Sequence, residues 1–111
     1  MLGIPREMLN GTGGKTFTAT DTGQWLEAPQ HTCTFEATLS NTTTPAATVE
    51  IHGSNSNTTT PAAGTLLGTI TLSGANDAAS FAAVAAAYKY KCAKVTAISG
   101  TSAAVTVMMG I

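Results

Sequence analysis

The sequence predicts an all-β fold: one antiparallel β-sandwich, jelly-roll-like, carrying an extended N-terminal arm. Three observations predict it. Apolar and polar residues alternate with period two in several segments, β-branched residues dominate those segments, and turn-forming residues separate them at short intervals. A chain of 111 residues is long enough for one core and too short for two. The division that follows is an arm over 1–14 and a sandwich over 15–111.

The arm carries apolar Leu2, Ile4, Met8 and Leu9, then Gly11-Thr12-Gly13-Gly14, which reads as a flexible joint. Such an arm either tucks under its own sandwich or reaches a neighbour. From Lys15 the pattern turns to strand. KTFTAT alternates, and HTCTFEATLS does so more clearly. It places His31, Cys33, Phe35, Ala37 and Leu39 on one face and Thr32, Thr34, Glu36, Thr38 and Ser40 on the other. TVEIHGS sends Val49 and Ile51 inward, with Glu50 and His52 outward. LLGTITLSG groups Leu66, Ile70 and Leu72.

SFAAVAAAYKY is open between a strand and a short helical turn, because its alanines favour helix but the segment is short. In YKYKCAKVTAIS the parities conflict: Tyr88, Tyr90 and Cys92 share one, Ala93, Val95 and Ala97 the other. A β-bulge near Cys92 would reconcile them. AAVTVMMG supplies the last strand.

The heptad NTTTPAA occurs twice, at Asn41–Ala47 and Asn57–Ala63. The threonine before each proline is pushed extended and the proline withholds a ladder donor, so both copies read as strand-terminating turns. If the flanking strands form a meander, those turns lie at opposite ends of the sheet and share no site. A hairpin about the first copy, centred on Thr44, would set Glu36 opposite His52 and Thr38 opposite Glu50. The sequons at Asn10, Asn41 and Asn57 are formal glycosylation acceptors, but nothing at the start of the chain reads as a secretion signal.

Charged residues make up 10% of the chain, against about 25% in an ordinary soluble domain. The apolar share is an ordinary 43%, so threonine, serine, alanine and glycine fill the gap. A neutral, hydroxyl-rich surface suits packing against other subunits. Net charge is −1 and the isoelectric point about 6.0, which gives no footprint for nucleic acid. Lys89, Lys91 and Lys94 form the basic cluster and read as a solvated face or edge protection. No apolar run is long enough to cross a bilayer as a helix. Synthesis in a cytoplasm would leave Cys33 and Cys92 as reduced thiols.

Candidate chemistry is sparse. LNGTGGKT at Leu9–Thr16 resembles the end of a phosphate-binding loop, but Leu9 stands where the first glycine is required and a strand pattern follows instead of a helix. His31, Cys33, His52 and Cys92 are the metal-ligand types, yet His52 and Cys33 point to opposite kinds of face and no metal is expected. Glu36 and Glu50 form no convergent acid–base pair with a nucleophile, so neither an enzymatic role nor a cofactor is expected. Trp25 is the single tryptophan, read as an anchor or interface residue.

TVEIHGSN at Thr48–Asn55, LGTITLSG at Leu67–Gly74 and YKYKCAKVTAISGTSAAVTVMMG at Tyr88–Gly110 resemble strands and turns of small structural proteins of tailed-bacteriophage virions. GKTFTAT and GQWLE fit the opening strands of that family. The resemblance implies a β-sandwich on the virion, with capsid decoration, or cementing, as its duty. The implied partners are the major capsid protein and further copies of the chain, as dimers or trimers. Its implied place is the capsid exterior after synthesis in the host bacterial cytoplasm, with no nucleic acid or membrane partner. Leu2, Ile4, Met8 and Leu9 are the expected contact residues. The alternatives are a tail or head–tail junction component, and a carbohydrate-binding sandwich used in host attachment.

Overall fold

The computed structural model describes residues 6–27, 33–40, 45–56, 64–83 and 88–110. Among them nine strands form two antiparallel sheets: β1 (Arg6–Met8), β2 (Asp21–Thr22), β3 (Leu26–Glu27), β4 (Cys33–Ser40), β5 (Ala46–Ser54), β6 (Thr65–Ser73), β7 (Asp77–Ala83), β8 (Tyr90–Ser99) and β9 (Ala104–Gly110). The first sheet runs β1-β9-β4-β7. The second runs β2-β8-β5-β6, with β3 also on β8. The sandwich expected from period-two alternation is present.

Alternation explains the core. Along β4 burial switches at every residue, with Cys33, Phe35, Ala37 and Leu39 inside and Thr34, Glu36, Thr38 and Ser40 exposed. Val105, Val107 and Met109 extend this inner face along β9. Val49 and Ile51 of β5, Ile70 and Leu72 of β6, and Ala93 and Val95 of β8 oppose it from the second sheet, all in one contiguous cluster. Each large side chain buried this way contributes about 1.5–3 kcal/mol of hydrophobic stabilisation.

Several expectations need correction. The β4–β5 hairpin does not form, because these strands belong to opposite sheets. Glu36 pairs with Ser80 and Met108, while His52 pairs with Cys92 and Leu66. Alternation reveals which face of a strand is buried but not which strand lies beside it. β4 and β5 both turn their apolar faces to the interior from opposite sides, which satisfies the same pattern. The heptads at 41–47 and 57–63 lie mostly outside the described residues.

Two bulges also move side chains. Thr48 pairs with Ala97 and Val49 with Val95, so Thr96 is the extra residue on β8. The bulge expected near Cys92 therefore falls four residues later: Lys91, Ala93 and Val95 face inward before it, and Ala97 is exposed after it. On β6, Ile51 pairs with Gly68 and His52 with Leu66, leaving Leu67 as the extra residue. Leu66 is thereby turned out, 51% exposed, instead of joining Ile70 and Leu72. Of the ambiguous alanine-rich segment, Ser80–Ala83 enter strand β7, paired with β4, and residues 84–87 lie outside the described residues. KTFTAT gives a single bridge, Phe17 to Val105, and not a strand.

Chain 6–27 closes one flank. β1 pairs with β9, the chain then leaves that edge, and it returns to the same edge at Phe17 before crossing to β2 on the second sheet. The intervening Gly11–Gly14 segment is a bonded turn, in contrast to the expected flexible joint. Asn10 Oδ1 accepts from the Thr12 and Gly14 amides at 2.9 Å each, and Asn10 Nδ2 donates to Thr16 O at 2.7 Å. The Gly11 amide donates to Asp21 Oδ2 at 2.9 Å. No helix follows, so the phosphate-loop context is absent here.

Gly23 holds this flank together. Its amide donates to Ala93 O at 2.8 Å and the next amide, of Gln24, donates to Leu9 O at 3.1 Å. A Cβ at Gly23 would stand 2.5 Å from Ala93 O and 2.6 Å from Leu9 O, both backbone atoms that cannot swing aside. Gly23→Ala should therefore destabilise the fold by about 1–3 kcal/mol, the usual range for overpacking. Urea denaturation checks this, with an unchanged midpoint as the contrary result.

Candidate docking surface

The outer face of the first sheet presents many hydroxyl and small apolar side chains, with Glu36 of β4 and Glu7 of β1 on either side of Met108 of β9. β4 contributes Thr34, Glu36, Thr38 and Ser40, all exposed, and β7 contributes exposed Ala78 and Ser80. β9 adds half-buried Thr106 and Met108 on the side of β4 away from β7. Thr38 and Thr106 sit directly opposite each other near the centre. A shallow hollow lies beside them, lined by Thr34, Glu36, Met108 and Gly110. Hydroxyls and small apolar groups lose far less than ions when water is displaced, so the part of this face around Thr38 and Thr106 can be covered at low cost.

The expected contact residues divide. Leu2 and Ile4 lie outside the described residues. Met8 is 1% exposed and belongs to the core, paired with Val107, so its side chain already has its partners inside the sandwich. Leu9 is half-buried, and its carbonyl receives the Gln24 amide. The strand β1 thus anchors residues 6–8 of the expected arm to its own sheet.

The second sheet's outer face carries more polar detail. β2 and β3 together flank β8, and between them the chain turns aside after Gly23, with the Gln24 amide donating to Leu9 O instead of to β8. Trp25 reaches from there towards the start of β6, where a Cβ at Gly64 would meet Trp25 Cη2 at 2.8 Å and His52 Cβ at 3.3 Å. Trp25 is half-buried, and its Nε1 is buried without a hydrogen-bond partner among the described residues, as is Nδ1 of His52. His52 Nε2 lies 3.0 Å from Glu50 Oε1. This is a packed ring with a covered indole nitrogen, unlike the exposed platform that sugar stacking requires.

Of the four residues of metal-ligand type, the three among the described residues do not converge. His52 and Cys92 face each other across the ladder on the outer side, Cys33 faces the interior, and His31 lies outside the described residues. No group of three or more His, Cys, Asp or Glu gathers among the described residues. Glu36 and Glu50 occupy the outer faces of opposite sheets, so they do not form a pair. Asp21, beside an open hollow lined by Thr20, Thr22, Lys94 and Thr96, uses both oxygens on the backbone amides of Gly11 and Thr22.

Lys91 departs most from the reading of the sequence. Of the basic cluster, Lys89 is exposed and Lys94 half-buried, but Lys91 is 0% exposed and turned inward with Ala93 and Val95. Its Nζ donates to Tyr88 O at 2.9 Å, and it is hydrogen-bonded to Cys33. Burial pushes its pKa down, while the neighbouring Cys33 acts in the opposite direction. The parity conflict within YKYKCAKV was the available signal: counting back from Val95 and Ala93 places Lys91 inside.

No protein-family model matches the chain, and no curated protein sequence matches it. Among solved structures the fold is shared with the SPBc2 prophage-derived protein YomS. The TM-score is 0.51 at 11% identity, covering 99% of this chain and 96% of that one. The likeness therefore extends over the sandwich from end to end, and it establishes the architecture.

Cys33 and Cys92 are both buried thiols. Cys92 donates to Gly23 O at 3.1 Å, and burial pushes its pKa from 9.0 up to about 12. Above pH 9 the unfolded chain releases a proton that the folded chain keeps. Native stability should fall through this group between pH 9 and about 12, by about 1.4 kcal/mol per pH unit. Urea unfolding of Cys92→Ala across that range should show a shallower slope by that amount; parallel slopes would refute the assignment.

Proposed function

We propose that this chain is a structural protein of a tailed-phage virion, and that within the virion it decorates the capsid exterior and cements neighbouring major capsid subunits. The outer face of the first sheet carries the proposal: a surface of threonine, serine, alanine and methionine around Thr38 and Thr106, with Glu36 and Glu7 as its carboxylates among the described residues. Such a composition suits a permanent contact, because interface cores are depleted of charge. The architecture shared with a prophage-derived protein supports the virion setting. The reading assigns the chain no catalytic step, cofactor, nucleic acid or membrane, and has it made in the host cytoplasm before it joins the shell.

In this reading Thr38 and Thr106 lie at the centre of the contact, and Leu2 and Ile4 extend it beyond β1. Met8 contributes from inside, by holding β1 against β9 at the edge of that sheet.

Titrating the protein onto undecorated capsids of its own phage, followed by electron cryo-microscopy, tests the proposal. Density over every capsomer is expected. Density confined to the vertex that carries the tail would replace decoration with a junction role, and no density anywhere would end the virion-shell reading. Thr38→Lys combined with Thr106→Lys should weaken shell binding at least about tenfold by introducing buried, unpaired charge. Removal of residues 1–5 should weaken it by a separate step if Leu2 and Ile4 touch the shell.

A further inference from the structure

We infer that β7 is a docking strand, which pairs antiparallel with β7 of a second copy of this chain. β7 ends the first sheet, with β4 on one side and no strand on the other among the described residues. Its free side therefore presents a row of backbone donors and acceptors, and only another extended strand matches such a row.

The other edges are protected against pairing, and β7 is not. β1 carries Arg6 and Glu7, while β2 and β3 carry Asp21 and Glu27. β6 has no ion but is bent by the bulge at Leu67. By contrast, β7 runs DAASFAA, with an unbroken register from Leu39↔Asp77 to Cys33↔Ala83 and neither proline nor glycine. Charge and bulges are the usual devices that blunt an edge. The single ion, Asp77, is already engaged: Oδ2 accepts from the Ser73 amide at 2.9 Å and Oδ1 from the Ala78 amide at 3.0 Å. It secures the turn into the strand and leaves the rest of the edge neutral.

A second copy fits this edge by symmetry. A twofold axis through Ser80, the middle of the strand, lays β7 on itself over its full length. Ser80 then faces Ser80, Ala79 faces Phe81, and Asp77 faces Ala83, so the two carboxylates lie at opposite ends and do not repel. The neighbouring β6 edge adds no ion on this flank, and β6 and β7 lie in contact there. The pairing would join two four-stranded sheets into one across an isologous interface. It concerns the isolated protein and holds or fails independently of the virion role.

Sedimentation equilibrium over a wide concentration range is the test, with Ser80→Lys, Ser80→Glu and their equimolar mixture. The native chain should dimerise. Each variant alone should associate at least about tenfold more weakly, since like charges would meet on the axis, and the mixture should recover pairing. Circular dichroism checks that each variant is folded. Hydrogen exchange on the native chain gives an independent readout, with β7 amides becoming protected as concentration rises. A native monomer whose β7 amides exchange at one rate throughout would overturn the inference. So would variants that dimerise unimpaired, a mixture that fails to pair, or protection of β7 that appears only on adding capsid shells.

Discussion

The structure depends on a repeated constraint: four of its six aromatic rings lie over a glycine. Four close approaches show it. Added Cβ atoms would meet Phe17 Cζ at 3.2 Å over Gly23, Tyr88 Cδ2 at 2.7 Å over Gly53, Trp25 Cη2 at 2.8 Å over Gly64, and Phe81 Cζ at 2.5 Å over Gly68. Aromatics are only 5% of the residues, so most of the interior is filled by valine, alanine, isoleucine and leucine. Two sheets packed face to face stand about 10 Å apart, and small side chains alone leave that space uneven. Phe17, Phe81 and Tyr88 over bare backbone fill it without pushing the sheets apart, at the cost of glycine's weaker strand preference, and Trp25 over Gly64 packs in the same way on the outer side. Phe81 adds a second contact, with its ring centroid 5.3 Å from that of Phe35.

One of these pairs explains the buried lysine. Gly53 lies opposite Lys91 in the β5–β8 ladder, and the absence of a side chain there admits Tyr88. The tyrosine's carbonyl then accepts from Lys91 Nζ, and Cys33 supplies a further hydrogen bond from the other sheet. An ammonium group is tolerable at this depth only with such partners. The glycine, the ring, the carbonyl and the cation form a dependent series, each creating room or compensation for the next.

Much of the fold was legible in the sequence because the strongest signal, alternation, is local. Cys33–Ser40 shows it at every residue, and Ala104–Gly110 nearly as clearly, so strand identity and inner face follow from the letters. What escaped was non-local. That β4 neighbours β7 and β9, and not β5, depends on which apolar faces meet across the interior. The bulges at Leu67 and Thr96 arise from register against β5, which no single strand encodes. The ring–glycine pairs escaped for the same reason, with Trp25 and Gly64 far apart in sequence. For the docking surface, low charge was visible from composition, but its concentration on one face needed the sheet order. Met8 was read as a contact residue because a short apolar terminus looks the same whether it docks inward or outward.

The distribution of the few ions follows from the topology. The flank closed by residues 6–27 carries Arg6, Glu7, Lys15, Asp21 and Glu27, and Lys15 approaches Glu7 at 3.9 Å. The opposite flank, from β6 through β7, has one carboxylate, committed to its turn. β9 has none. Exposed ion pairs add little stability, so this asymmetry is not explained by holding the fold together. It does change what each surface can do. Charge on β1, β2 and β3 keeps those edges hydrated, while the edge of β7 and the threonine-rich part of the outer face of β4 and β9, apart from Glu36, would lose little on desolvation. A sandwich built this way is directional: its ionised edges favour water, and the neutral edge of β7 does not.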